Sequence, residues 1–233
     1  MRPVICLVTP PLVRLERDTA YVAADPTSVL SGLSRTTDDL VERIGAAARA
    51  GVHLVQIRQP GMDGRPLAAL TTAAIEAVRG TRTRVLVNER FDVALAVGAH
   101  GVHLRSDSFP APRVRASAPR EFLIGRSVHT LEEARAAAGD GATDYVIFGT
   151  VFATDSKSGA PTAGPERLAA VCAAVQIPVL AIGGITLARL DAVAAAGADG
   201  LAAIGLFSGG AADGMRQIVG QVVRTFDTPR RVP

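Results

Sequence analysis

The stretch PVLAIGGITLARLDAVAAAGADGLAAIG, residues 178–205, contains the pattern that decides the fold. A short apolar run ends in a glycine pair, an alanine-rich helical stretch follows, and Gly197 leads into a second apolar run that ends at Gly205. Both runs lack polar alternation, which is typical of parallel strands that are buried on both faces. The stretch therefore predicts a β-α-β unit with a glycine turn after each strand.

The same alternation of apolar runs and helical stretches extends along the chain. The apolar runs lie at residues 3–9, 52–57, 84–88, 101–104, 122–127, 144–148, 178–182 and 199–204. The helical stretches lie at about 37–50, 66–79, 90–97, 111–117, 131–139, 165–175, 187–196 and 211–226. Eight strand–helix pairs in a chain of 233 residues predict an α/β fold, a single (β/α)8 TIM barrel that forms one domain over residues 1–233. A doubly wound open sheet is the alternative architecture.

A weak internal repeat supports this prediction. The phrases AARAGVHLVQIR, LAVGAHGVHLR and AAAGADGLAAIG each pass from a helix end, through a glycine, into a buried strand. Gly51, Gly98 and Gly197 stand where a helix end favours a left-handed residue. The repeat therefore indicates recurring joints between helices and strands.

One segment departs from the repeating plan. Residues 10–36 form an insertion between strand one and helix one, which is long for such a connection. It follows a strand, so it lies at the edge of the barrel where active sites form. Both a lid over the site and a solvated insertion are compatible with the sequence.

Composition and charge exclude several classes of partner. A net charge of +3, scattered arginines and 4% aromatic residues argue against a nucleic-acid surface. No apolar run approaches the roughly 18–20 residues of a membrane helix. The two cysteines do not form a disulfide framework, so we expect a cytoplasmic protein. The expected partner is a small molecule, and a homo-oligomer remains open.

The glycine turns after strands seven and eight predict a phosphate site. Glycine allows a ligand to approach the backbone closely, and backbone amides at such turns bind anions. In (β/α)8 barrels these two loops are a frequent position for phosphate. We therefore predict phosphate binding by Gly183, Gly184 and Gly205, with tight turn packing as the alternative reason for these glycines.

His129 is the candidate general acid/base. Thr130 and Glu133 have the spacing of a capping box, which puts His129 just before a helix N-terminus at the barrel rim. The positive end of the helix dipole favours a neutral imidazole there, the form that a general base needs. A hydrogen-bonded structural histidine is the alternative. His103, at the end of strand four, is a weaker candidate for ligand binding.

Six phrases lie at strand ends along the chain. They are residues 55–58 (VQIR), 87–95 (VNERFDVAL), 101–104 (GVHL), 124–134 (IGRSVHTLEEA), 144–157 (DYVIFGTVFATDSK) and 178–185 (PVLAIGGI). Taken in order, these phrases resemble the thiamine phosphate synthase/TenI superfamily. This resemblance, together with the rim positions, makes five residues candidates for substrate binding: Arg58, Asn88, Ser127, Thr154 and Lys157. A surface ion pair remains the alternative for Arg58, and a solvated polar loop for residues 149–164.

The resemblance implies one of two reactions. Thiamine phosphate synthases join hydroxymethylpyrimidine diphosphate to a thiazole phosphate and use Mg²⁺ to hold the diphosphate. Here Pro60 stands at the family's lysine position, Glu89 at the first metal aspartate and Ser108 at the second. These changes predict no metal site, and therefore no cofactor. Glu89 and Asp107, which is adjacent to Ser108, would bind Mg²⁺ only if the protein is a synthase.

The second branch contains TenI-type thiazole tautomerases, which aromatise a carboxythiazole phosphate without a metal. The stretch around His129 resembles this branch, so the sequence-based expectation is a thiazole tautomerase with His129 as general acid/base. The synthase is the alternative, and a non-catalytic regulatory protein that binds a thiazole phosphate is a further one. Ile204 stands where the family often has a serine that donates to the phosphate, which leaves backbone amides as the expected donors.

Overall fold

The computed structural model describes residues 3–12, 26–154, 161–207 and 212–227, and it describes the side chains of the first helix from residue 37 onwards. Parallel strands pair in sequence order and close into a barrel, with β1 beside both β2 and β8. The strands are β1 Val4–Val8, β2 Leu54–Ile57, β3 Arg84–Asn88, β4 Gly101–Leu104, β5 Leu123–Val128, β6 Tyr145–Phe148, β7 Val179–Ile182 and β8 Gly200–Ala203. The predicted (β/α)8 barrel is therefore confirmed.

Helices lie between the strands on the outside of the barrel. They are α1 Pro26–Ala50, α2 Gly64–Ala77, α3 Phe91–Ala96, α4 Ala111–Arg115, α5 Leu131–Gly139, α6 Gly164–Ala174, α7 Leu190–Ala195 and α8 Ala212–Asp227. Buried Val, Leu, Ile and Ala side chains from helices and strands form one continuous apolar layer between the two shells. None of the helices in the described ranges is long and apolar enough to cross a membrane.

The first helix is longer than the sequence pattern predicts. It begins at Pro26, whereas the apolar periodicity becomes clear only near residue 37. Proline is favoured in the first turn of a helix, because its fixed φ suits the helix and its missing N–H has no partner there. Residues 26–36 of the predicted insertion at 10–36 therefore belong to α1, while residues 13–25 lie outside the described residues.

A second, smaller apolar cluster fills the barrel interior. It consists of Cys6, Val8, Leu54, Leu86, Tyr145, Ile147, Leu180 and Ala202. Glycines on neighbouring strands leave room for the large members. A Cβ at Gly125 would lie 2.2 Å from the Tyr145 ring, and one at Gly101 would lie 2.7 Å from Leu86. The interior is therefore closely packed below the rim.

Four side chains form a repeated contact at the amino ends of the strands, which we call the amino-end ring. His53, His100, Asp144 and Asp199 each precede an even-numbered strand. Each accepts a backbone N–H from the preceding odd-numbered strand, at 3.2, 3.0, 2.7 and 2.9 Å respectively. Each also donates its own backbone N–H to the carbonyl of that same residue. Three of the four lie in the repeated sequence phrases, so the repeat encodes this contact.

Candidate active site

The loop after β1 is fixed at its start by the end of β2. The backbone N–H of Arg58 donates to Thr9 Oγ1 at 2.9 Å. The buried Gln59 amide donates to the Pro10 carbonyl at 2.9 Å and accepts the Leu12 N–H at 2.8 Å. These bonds tie residues 9–12 to the carboxyl edge of the barrel. The half-buried Arg58 side chain lies beside them at the end of β2.

Asn88 is oriented by a glutamine that the sequence analysis did not single out. Gln56 is 4% exposed, and its Nε2 donates to Asn88 Oδ1 at 2.9 Å. Because this bond occupies the Asn88 oxygen, the Asn88 amide nitrogen is left as the donor. The period-2 pattern of β2 could have indicated Gln56, since a polar residue within a buried strand needs a partner.

Glu89 and Asp107 both contact Arg105. The Arg105 backbone N–H donates to Glu89 Oε1 at 2.5 Å, and the Arg105 guanidinium donates to Asp107 Oδ2 at 2.5 Å. Glu89 has φ 65°, and within the described ranges it is the only non-glycine residue with a positive φ. Such a conformation costs of order 1–3 kcal/mol and often marks functional sites. The two carboxylates follow the neighbouring strands β3 and β4. The second oxygen of each carboxylate takes no part in the bonds to Arg105.

A line of three polar side chains runs from the barrel interior to the rim, and we call it the buried relay. His103 Nδ1 and the Tyr145 hydroxyl oxygen are 3.2 Å apart. His103 Nε2 and Ser127 Oγ are 2.9 Å apart. His103, the weaker candidate for ligand binding, is 1% exposed, and both of its ring nitrogens contact side chains of the protein. Arg126 instead reaches outwards and donates to the Ser108 carbonyl at 2.9 Å.

His129 lies exposed just before α5, as the capping pattern predicts. The Glu133 carboxylate accepts the His129 backbone N–H at 2.5 Å, and Thr130 Oγ1 accepts the Glu133 N–H at 3.1 Å. His129 Nδ1 lies 2.5 Å from the Gly149 carbonyl oxygen. Because a carbonyl only accepts, Nδ1 carries the hydrogen of this bond, and Nε2 makes no hydrogen bond within the described residues.

The glycine pair after β7 forms a tight turn. Gly183 and Gly184 have φ values of 101° and 59°. A Cβ at Gly183 would lie 2.4 Å from Thr150, and one at Gly184 would lie 2.4 Å from the Ala153 carbonyl. Arg189 donates to the Gly184 carbonyl at 2.7 Å, and its guanidinium stacks 4.9 Å from the centre of the Phe152 ring. Arg189, which the sequence analysis did not single out, therefore fixes the direction of this turn.

The turn after β8 is more open. Among the described residues, no atom lies within 4 Å of a Cβ placed at Gly205. The neighbouring Ile204 is half-buried against the interior cluster. Its side chain supplies no hydrogen-bond donor, so only backbone amides can donate to a ligand at residues 204 and 205.

Two predicted substrate contacts lie on the loop after β6. Thr154 is half-buried at the end of the described part of this loop. Lys157 lies outside the described residues, so its role stays a prediction. In the loop after β4, the buried Ser108 hydroxyl has no hydrogen-bond partner within the described ranges.

The carboxylates at the rim are the oxygen ligands that a magnesium ion could use. Within the residues that the structure describes, no group of three His, Cys, Asp or Glu side chains could hold a metal on its own. Mg²⁺, however, commonly binds through one or two carboxylates together with substrate phosphates. Glu89 and Asp107 fit that second type of site, in which the ion arrives with a phosphorylated ligand.

The fold and the rim together define a (β/α)8 barrel whose polar groups gather at the carboxyl ends of its strands, where barrel enzymes have their active sites. A family model described as thiamine monophosphate synthase matches residues 28–207. The chain belongs to this enzyme family.

Named relatives agree with the family assignment. A thiamine-phosphate synthase of Methanoculleus marisnigri is 42% identical over 79% of this chain and 84% of its own length. One of Syntrophomonas wolfei is 37% identical over 85% of this chain and 94% of its own. A solved structure of thiamine phosphate pyrophosphorylase from Pyrococcus furiosus has a TM-score of 0.72 and 29% identity, covering 94% of this chain and 96% of its own.

These comparisons correct the expected reaction. The prediction of a thiazole tautomerase is wrong, because relatives 37 and 42% identical are named thiamine-phosphate synthase. That prediction rested on the resemblance around His129 and on the residues at the family's diphosphate and metal positions, which are Pro60, Glu89 and Ser108. In the structure Asp107, one residue earlier, pairs with the residue that also binds Glu89, so two carboxylates remain.

Proposed function

We propose that the protein is a thiamine phosphate synthase that joins hydroxymethylpyrimidine diphosphate to a thiazole phosphate. The observation that carries the proposal is that the carboxylates of Glu89 and Asp107 both contact Arg105 at the ends of β3 and β4, Glu89 through the backbone N–H and Asp107 through the guanidinium. Membership of the synthase family supports it. Both carboxylates and the glycine turn after β7 lie at the carboxyl edge of the barrel, so they can contact one bound ligand.

In the proposed reaction the bond between the pyrimidine methylene carbon and the diphosphate oxygen breaks, and its electron pair leaves with diphosphate. The thiazole nitrogen supplies the electron pair of the new carbon–nitrogen bond. Bound Mg²⁺, held by Glu89 and Asp107, would supply positive charge to the diphosphate leaving group. The protein's own part is to bind and orient the two substrates.

Different groups at the rim are proposed to bind different parts of the two substrates. The turn at Gly183 and Gly184, fixed by Arg189, is proposed to bind the thiazole phosphate through backbone amides. Asn88, whose oxygen is held by Gln56, offers an amide donor beside the carboxylates. Arg58 is proposed to bind a phosphate oxygen, a role that suits a guanidinium. Pro60 replaces a lysine in this region, so Arg58 would carry more of the charge.

The remaining predicted site residues keep supporting roles in this proposal. Ser127 is proposed to contact substrate from the end of β5, and Thr154 and Lys157 from the loop after β6. His129 lies at the same rim, with Nδ1 bonded to the Gly149 carbonyl. We propose no proton transfer for it.

The test is a coupling assay on the purified protein with both substrates. With Mg²⁺ we expect thiamine phosphate and diphosphate to appear in equal amounts, and with EDTA we expect neither. Omitting the thiazole phosphate provides the control, because hydrolysis alone would still release diphosphate. Absence of product at saturating substrates and Mg²⁺ would exclude the proposal.

A further inference from the structure

The buried relay of Tyr145, His103 and Ser127 contains two side chains that are sealed from solvent. Tyr145 is 5% exposed and His103 is 1% exposed, whereas Ser127 is half-buried at the end of β5. Tyr145 contacts one imidazole nitrogen and Ser127 contacts the other. The imidazole therefore connects a hydroxyl deep in the barrel with a hydroxyl at the rim.

The packing holds the tyrosine ring in place. A Cβ at Gly125 would lie between 2.2 and 2.5 Å from three atoms of the Tyr145 ring, so only glycine leaves room for the ring there. The rings of Tyr145 and His103 lie with their centres 5.7 Å apart. Two residues of β5 thus contribute to the relay, since Gly125 admits the tyrosine and Ser127 contacts the histidine.

Both buried rings are neutral in the working range of pH. His103 is 1% exposed, and within the described residues its ring nitrogens contact only the uncharged hydroxyls of Tyr145 and Ser127, so no carboxylate stabilises a charged imidazole. Burial raises the pKa of Tyr145 well above its ordinary value, so its hydroxyl keeps its hydrogen. A neutral imidazole has one donor nitrogen and one acceptor nitrogen, and the remaining question is which nitrogen has which role.

The hydrogen bond that the buried Tyr145 hydroxyl needs decides between the two tautomers of His103. Within the described residues, His103 Nδ1 is the one acceptor that the Tyr145 hydroxyl contacts. A buried hydroxyl hydrogen without an acceptor is costly, so Tyr145 donates to Nδ1. Nε2 then carries the hydrogen and donates to Ser127 Oγ, which leaves the Ser127 hydrogen for another acceptor.

We propose that His103 is a positioning residue which, held in its Nε2–H tautomer by Tyr145, makes Ser127 a hydrogen-bond donor towards the bound ligand. The ligand part of this proposal rests on the proposed function. The group it would recognise is an acceptor such as a phosphate oxygen or a ring nitrogen. The opposite tautomer would make Ser127 an acceptor, which such a ligand atom would not satisfy.

The first experiment reads the tautomer without any substrate. Long-range ¹H–¹⁵N correlation spectra of the ¹⁵N-labelled full-length protein distinguish protonated from unprotonated imidazole nitrogens, and a His103→Gln variant assigns the signal. We expect a protonated Nε2 and an unprotonated Nδ1 at pH 7. A protonated Nδ1 would overturn the proposal, whatever the activity of the enzyme.

The second experiment tests whether the relay acts through Ser127. In the coupling assay we expect Tyr145→Phe to lower kcat/KM about 10-fold, since the tautomer is no longer fixed, and Ser127→Ala to lower it at least as much. In the double variant the tyrosine change should have no further effect. If the two losses in kcat/KM multiply in the double variant, Tyr145 acts on the fold and not through Ser127, which would overturn the positioning role.

The two experiments separate this proposal from the proposed function. If the wild-type protein forms no thiamine phosphate, the synthase proposal fails, and the tautomer spectrum alone then decides the relay. If product forms but the spectrum shows the other tautomer, the synthase proposal stands and the relay fails. Tyr145→Phe keeps the ring that Gly125 accommodates, so a folded variant is expected.

Discussion

The two edges of the barrel use polar side chains in opposite ways. At the amino ends, His53, His100, Asp144 and Asp199 each close a reciprocal pair with the backbone of the neighbouring strand. At the carboxyl ends, the Gln56 side chain holds Asn88, and Arg105 holds Glu89 through its backbone N–H and Asp107 through its guanidinium. Each held side chain keeps a donor or an oxygen outside these bonds. The first arrangement stabilises the fold, and the second orients groups for a ligand.

This comparison predicts that substitutions at the two edges change different quantities. Changes at the amino-end ring should lower the free energy of unfolding and leave KM unchanged. Changes at the rim should alter substrate binding and turnover more than stability. The following predictions are arranged from the largest expected effect to the smallest.

Gly183→Ala should have the largest effect on binding. The new Cβ would lie 2.4 Å from Thr150, at a residue whose φ is 101°, so the turn must deform. We expect the affinity for the thiazole phosphate to fall on the order of 100-fold, equivalent to about 2.7 kcal/mol, measured by calorimetry. Gly139→Ala is the matched control, because a Cβ there meets nothing within 4 Å in the part of the chain that the structure describes. Equal affinity of the Gly183 variant and wild type would contradict a phosphate site at this turn.

Asp144→Ala should weaken the fold and leave the chemistry intact. Asp144 accepts the Ile124 N–H at 2.7 Å and pairs with Arg115 at 2.7 Å, and both groups would lose a partner. We expect the free energy of unfolding in urea to fall by about 1–3 kcal/mol. Asp144→Asn, which keeps an acceptor oxygen, should lose less. A change in KM without a change in stability would contradict the division between the two edges.

Stability should fall when the pH drops below about 6.5. In the unfolded chain His103 takes up a proton near its ordinary pKa of 6.5, whereas in the folded protein its pKa is about 3. The unfolded state therefore binds more protons in this window, and the free energy of unfolding falls by at most about 1.4 kcal/mol per pH unit for this residue. Burial and the Arg84 charge lower the pKa of His100 too, which adds to the slope.

Urea unfolding between pH 7.5 and 5 measures this slope. His103→Gln removes one titrating group, so its curve should be flatter than that of the wild type. A variant with the same slope would show that His103 does not remain neutral in the folded protein.

Ile204→Ser should have the smallest effect, and in the favourable direction. It adds a hydroxyl donor at the turn after β8, where no described residue crowds a Cβ at Gly205. We expect KM for the thiazole phosphate to fall about 5-fold, equivalent to about 1 kcal/mol, which is typical of one hydrogen bond. Ile204→Val, which adds no donor, should leave KM unchanged. An unchanged KM for the serine variant would place the phosphate away from this turn.

The sequence predicts the architecture well, because buried strands and capped helices are local patterns. All eight apolar runs overlap a strand of the barrel, and the Thr130–Glu133 cap forms as its spacing predicts. The start of α1 is missed, since residues 26–36 have little apolar periodicity and the helix begins there with a proline.

The candidate site is predicted less completely, because its organisation depends on contacts between distant residues. Asn88, Glu89 and Ser127 lie at strand ends where the motifs predict, but their orientation comes from Gln56, Arg105 and His103. The sequence separations in these three contacts are 32, 16 and 24 residues, which no local pattern reveals. The wrong choice of reaction has a different cause. The expectation gave more weight to the stretch around His129 than to the carboxylates Glu89 and Asp107, although Asp107 and Arg105 are only two residues apart in the sequence.

The central claim is that the rim carboxylates serve magnesium-dependent coupling, and the most direct measurement is the rate of thiamine phosphate formation against Mg²⁺ concentration. Glu89→Gln keeps the oxygen that accepts the Arg105 N–H but removes the charge, and Asp92→Asn, in an exposed pair with Arg90, is the matched control. We predict a saturable Mg²⁺ dependence for the wild type and the Asp92 variant, with a requirement at least 10-fold higher for Glu89→Gln. Identical Mg²⁺ curves for Glu89→Gln and the wild type, or no thiamine phosphate from either, would contradict the account.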